Sequence, residues 1–145
     1  MKWSLFMPKI VHEELVAAIR SAEARTSGEI RVLVARHVVT DPVAAAKHYF
    51  RRLGMVHSPH RNGVLIFLAP RSRNFAVIGD KAVHEKCGDS FWTSLAETMS
   101  EHFRRREFTA GLVHGIDRAG TLLSENFPRT GADPAPGEPQ AGEVD

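Results

Sequence analysis

A single cysteine, Cys87, stands in 145 residues. That excludes an internal disulfide framework and a CxxC metal pair, and nothing argues for an oxidising compartment. Long apolar runs are also missing, since no stretch approaches the roughly 18 residues of a membrane span. The opening MKWSLFMPKIVHEEL turns polar at Pro8 and Lys9 before a signal-peptide core could form. The sequence as it stands predicts a cytoplasmic protein without a membrane span. Neither a Walker-type phosphate loop nor a nucleophile motif is present, and no internal repeat is apparent.

The composition, 43% hydrophobic and 25% charged, is that of an ordinary globular domain. Net charge is +2, but its distribution is uneven. From Pro128 onward Arg129 faces Asp133, Glu138, Glu143 and Asp145, a net of −3, which leaves +5 on residues 1–127. Mild basicity of that size favours anionic partners only weakly. The tail 128–145 is rich in proline and glycine and has no large apolar residue except Val144. Such a segment cannot offset its ordering entropy, so it is expected to be a disordered acidic tail behind a domain of residues 1–127.

Within the domain, Val11, Leu15, Ala18, Ile19 and Ala22 recur at helical spacing and predict a first helix ending near Gly28. Residues 29–35, EIRVLVA, read as a strand covered on both faces in its deeper half. Asp41-Pro42 is an N-cap with proline at the first helical position, and Val43, Ala46, Phe50 and Leu53 continue that helix to Gly54. The unbroken apolar run Val64 to Ala69, closed by Pro70, is a doubly buried strand and completes a parallel βαβ unit. Polar Arg71 to Asn74 turns the chain into Phe75-Ala76-Val77-Ile78, an antiparallel hairpin partner. Lys81 to Cys87 predicts a short helical turn that Gly88-Asp89 restarts, with Phe91, Trp92, Leu95, Met99 and Phe103 facing inward. Phe108, Leu112, Ile116, Ala119, Leu123 and Phe127 stripe a last helix whose Gly111, Gly115 and Gly120 permit close approach. The expected fold class is α/β: a three-layer α/β/α sandwich with a small mixed sheet, built from one βαβ unit and one antiparallel hairpin and flanked by helices.

Several separated motifs, in order, resemble the TPM domain family. They are Ala22-Glu23, Thr26-Ser27-Gly28-Glu29-Ile30-Arg31-Val32, Arg61-Asn62-Gly63 through Pro70, Phe75 through Asp80, Phe91-Trp92, Phe108, Gly111-Leu112 and Gly115-Ile116. The resemblance covers roughly residues 10–127. It implies an α/β sandwich with a site at one end of the sheet, where acidic residues of some relatives bind a divalent cation, often calcium. Phosphatase activity belongs to a plant member of the family. One departure is Ala82, which stands where relatives commonly carry a second glycine after the hairpin.

Calcium takes six to eight oxygens, several from carboxylates on loops. Asp80, Glu85 and Asp89 fall within ten residues, and Asp41 is the candidate to join them from the loop after the first strand. Capping offers a competing explanation for Asp41 and Asp89, and a turn for Asp80. Arg61 and Lys81 are the candidates for contact with a phosphate, should a metal there activate water. Glu29 and Arg31 share a strand face and read as a surface pair. His57, His60 and His84 read as solvated histidines, and Cys87 as a small buried hydrophobe. Arg104-Arg105-Arg106 suits a helix end, and without interleaved exposed aromatics it points to no specific nucleic acid. The expected function is a non-catalytic TPM binding or accessory module for a protein partner, such as the soluble face of a membrane protein. A calcium-like or magnesium cofactor is optional to it. The alternative is a metal-assisted acid phosphatase acting on phosphomonoesters.

Overall fold

A computed structural model describes residues 9–145, apart from the side chain of Asp89. In chain order the elements are α1 (His12–Glu23), β1 (Ile30–Ala35), α2 (Pro42–Arg52), β2 (Val64–Ala69), β3 (Asn74–Gly79), α3 (Lys81–Arg104), α4 (Phe108–Asn126) and β4 (Gln140–Val144). Strand order is β3-β2-β1-β4. β1 lies parallel to β2, with Ile30 opposite Val64, whereas β3 returns antiparallel and sets Gly79 opposite Val64.

The strict two-residue alternation of a strand divides the apolar side chains between two cores. Ile30, Val32, Val34, Val64, Ile66 and Leu68 meet Ile19 of α1, Met99 of α3 and Leu112 and Ile116 of α4. Leu33, Ala35, Leu65, Phe67 and Ala69 face the other way, onto Ala46 and Phe50 of α2 and onto Met55. All six residues of β2 are buried, as an unbroken apolar run requires of a strand covered on both sides. The result is the expected three-layer sandwich, with α2 on one face and α1, α3 and α4 on the other.

The start of α2 follows its capping residue. Asp41 Oδ1 accepts the Ala44 amide at 3.0 Å, and Pro42 occupies the first turn of α2. The expected break and restart in the following helix is a kink at Gly88, whose φ of 68° and ψ of 173° leave the helical region. Glycine reaches that conformation without a Cβ clash. Ala82 lies in the first turn of α3, where its amide donates to the Arg61 carbonyl at 3.1 Å. No positive φ is needed there, so alanine in place of a second glycine leaves the loop intact.

Close helix approach accounts for the glycines of α4. A Cβ on Gly120 would stand 2.6 Å from the Ala22 Cβ of α1. Gly120→Val is therefore expected to force α1 and α4 apart and cost about 2 kcal/mol, within the range for overpacking. Urea denaturation would measure it, and an unchanged midpoint would contradict the close contact.

The tail corrects one expectation. Rather than remaining disordered after residue 127, it crosses the start of the parallel strands and adds β4 parallel to β1, with Leu33 opposite Gly142 and Ala35 opposite Val144. Arg129 donates from Nε and Nη2 to the Glu23 carbonyl at 3.3 and 3.2 Å, anchoring the crossing. Composition misleads here because the open edge of β1 supplies backbone partners to an extended segment, so pairing does not require the large apolar side chains that the tail lacks.

Candidate functional site

The antiparallel turn of β3 decides which acidic residues meet. Asp80 follows Gly79, so it lies at the end of the sheet where β1 and β2 begin. Its amide donates to the Gly63 carbonyl at 2.9 Å. Asp41 follows β1 and lies near the opposite end, where the Val39 amide donates to Ser72 and Asn74 Nδ2 donates to the Val39 carbonyl at 2.8 Å. Six-residue strands separate the two ends by about 17 Å, so Asp41 does not converge on Asp80. The βαβ unit gathers its following loops at one edge, but the hairpin carries Asp80 back to the other. Asp41→Ala is thus expected to cost about 1 kcal/mol through the lost cap alone. The measurable sign is a modest fall in melting temperature with cation binding unaltered.

Asp80 is buried and fully engaged. Arg61 Nε and Nη2 each donate to one of its two oxygens at 2.8 Å, a bidentate pair, and Oδ1 also accepts the Lys81 amide at 2.7 Å as the cap of α3. Burial pushes the Asp80 carboxyl up, but Arg61, the Lys81 amide and nearby His84 together outweigh it and hold it below the usual carboxylate range. Arg61 reaches Asp80 from a left-handed backbone conformation, φ 49°, uncommon for a residue with a side chain. Its amide donates to Ser58 and its carbonyl accepts from Ala82, so three contacts fix the strained residue in place. The guanidinium, expected as a phosphate contact, is turned onto Asp80. The Lys81 side chain and Glu85 are exposed on the first turns of α3, and the Asp89 side chain lies outside the described residues. Among the described residues no three His, Cys, Asp or Glu side chains are placed to hold one ion.

A second acid at this end was not foreseen. Glu23, the last residue of α1, is 8% exposed, and its Oε2 accepts the Ile30 amide at 3.0 Å where β1 begins. Burial drives its pKa up to about 7, opposed by the Ile30 amide, assisted by the charge of Glu29 and opposed by Arg31 and Arg129. The sequence did hold a signal for it, because a carboxylate at a helix C-terminus opposes the macrodipole and calls for another reason to be there.

Between the two acids lie hydrogen-bonded polar groups. Buried Thr26 donates to the Leu123 carbonyl and accepts the Gly28 amide, and Asn62, 1% exposed, donates to Ser27 Oγ at 3.1 Å. These residues splice the end of α4 to the starts of β1 and β2. Glu29 and Arg31 pair at 3.0 Å as expected. His57, His60 and His84 are exposed and scattered, and burial raises the pKa of Cys87 against the pull of Lys86, which keeps the thiol protonated. Arg104, Arg105 and Arg106 are exposed at the end of α3.

A three-layer sandwich with an ordered, charged edge at the start of its parallel strands defines a class of small α/β modules. The TPM domain matches residues 6–122, and the chain belongs to that family. The solution structure of the BA42 protein from the psychrophilic bacterium Bizionia argentinensis is similar at 35% identity and TM-score 0.80, over 92% of this chain and 95% of that one. The N-terminal domain of the cg2496 protein from Corynebacterium glutamicum shares the fold at 12% identity and TM-score 0.58, over 89% and 82% of the two chains. An N-terminal domain from P. gingivalis does so at 17% identity and TM-score 0.58, over 81% and 78%. No curated protein matches the chain.

Proposed function

We propose that this TPM domain is a cytoplasmic, non-catalytic binding module that serves a protein partner, such as the soluble face of a membrane protein. The observation that carries this reading is the bidentate Arg61–Asp80 pair. It occupies both oxygens of the buried acid at the candidate edge and removes the nearest guanidinium from phosphate binding. A divalent cation, calcium or magnesium, would have to displace Arg61 from Asp80 to enter. Hydrolysis of a phosphomonoester would further require carboxylates that Asp41, at the far end of the sheet, does not supply.

Titration calorimetry with calcium, magnesium and zinc, beside a p-nitrophenyl phosphate assay with each metal, tests the reading. The expected result is no metal-dependent turnover, and any cation heat should increase in Arg61→Ala, where Asp80 is released. Metal-dependent turnover that disappears in Asp80→Asn would replace the binding module with a metal-assisted phosphatase.

A further inference from the structure

β1 is apolar on both faces, with Val32, Leu33, Val34 and Ala35 between 0% and 8% exposed. β1, β2 and β3 lie inside the matched residues 6–122, whereas β4 lies beyond them. Without β4 the outer side of β1 is an open edge with no charge or proline along residues 32–35 to blunt it, the kind that templates pairing with an added strand. The tail shows how such a strand sits. The Arg36 amide donates to the Val144 carbonyl at 2.7 Å, and the parallel register then turns the backbone groups of Gln140, Gly142 and Val144 toward β1. Ala141 packs on one core and Val144 on the other. Arg36 lies 3.6 Å from Glu143 and 3.9 Å from Asp145.

The hold is weak for a strand in that position. Gln140, Gly142 and Glu143 are exposed, a Cβ on Gly142 would meet nothing within 4 Å, and exposed ion pairs contribute little. We propose that the outer edge of β1 is the docking site of this module for an extended segment of a partner protein. That segment adds as a parallel strand in place of β4, with a β-branched residue where Val144 lies and carboxylates beside Arg36. Main-chain bonds supply affinity in such strand addition, and the side chains at alternate positions supply selection. The tail then acts as a tethered competitor, whose high effective concentration keeps the edge closed to weaker segments. This inference rests on the chain being a binding module.

The test uses the full chain carrying Gly142→Pro and Val144→Asp, which removes one main-chain donor, sets a proline ring against the β1 edge and removes one core contact from β4. The probe is a fluorescent peptide of residues 138–145, EPQAGEVD, followed by anisotropy. The double variant is expected to bind it at least 10-fold more tightly than the unaltered chain, and a scrambled peptide is expected not to bind. Adding Arg36→Glu should weaken the complex at least 5-fold. If the double variant does not fold, Gly142→Pro alone carries the same comparison. A folded variant that ignores the peptide overturns the docking site and leaves the non-catalytic reading standing, because the phosphatase assay is independent of it. Light scattering that shows the unaltered chain to be a tail-exchanged dimer also overturns it, by giving the edge to a second copy.

Discussion

Asp80→Ala is expected to destabilise the domain by about 3 kcal/mol, the lower part of the range for breaking a buried charge pair. The Asp80 side chain is 5% exposed while that of Arg61 is 45% exposed, so the arginine left behind still reaches water. The rest of the loss comes from three charge-assisted hydrogen bonds and from the cap of α3. Arg61 would also lose the contact that holds its left-handed backbone. Chemical denaturation at neutral pH measures the effect, and a loss below about 1 kcal/mol would mean that the pair is only a surface contact. The pH dependence has a definite sign. Because the folded carboxyl sits below its ordinary value, its contribution is present above the unfolded pKa and disappears as pH falls through the folded one. Asp80→Asn should accordingly flatten the acid limb of the stability profile.

Glu23 is expected to work in the opposite direction. Its folded pKa is about 7 against 4.5 for the free group, so between those values the folded state holds a proton that the unfolded state has released. Stability falls as pH rises through that window, and the penalty is complete above about pH 7. A displacement of this size corresponds to about 3 kcal/mol. Glu23→Gln preserves the shape of the side chain and an oxygen for the Ile30 amide while removing the charge. It should leave stability near pH 4 unchanged and raise it by about 3 kcal/mol at pH 8, read by urea denaturation at both pH values. A variant equally stable with the parent at pH 8 would mean that Glu23 ionises without cost. Glu29, Arg31 and Arg129 face the same carboxyl, so neutralising Arg129 should deepen the penalty, because its charge favours the ionised form.

Only one of these two acids was a candidate from the sequence, and the difference has a local cause. Asp80 ends an apolar run and opens a helix, a pattern that adjacent residues display. Glu23 becomes special only because Ile30, seven residues later, directs its amide at it, and because the fold leaves it only 8% exposed there. Asp41 shows the reverse error. It resembled a ligand because parallel strands collect their following loops together, yet β3 runs antiparallel and puts Asp80 at the other end of the sheet.

The sequence by itself determined the layers of this protein. The unbroken run Val64 to Ala69, the helical stripes of α1 and α4, the Asp41-Pro42 start of α2 and the glycine break at Gly88 are local patterns, and local sterics and burial suffice to interpret them. The spaced motifs around them also sufficed for the TPM resemblance. The tertiary structure alone decided what those residues do to one another. Arg61 is turned onto Asp80, Glu23 is sealed under the start of β1, and the acidic tail is laid along the open edge of β1. Each depends on strand direction and on contacts between residues far apart in the chain, which one-dimensional spacing does not encode.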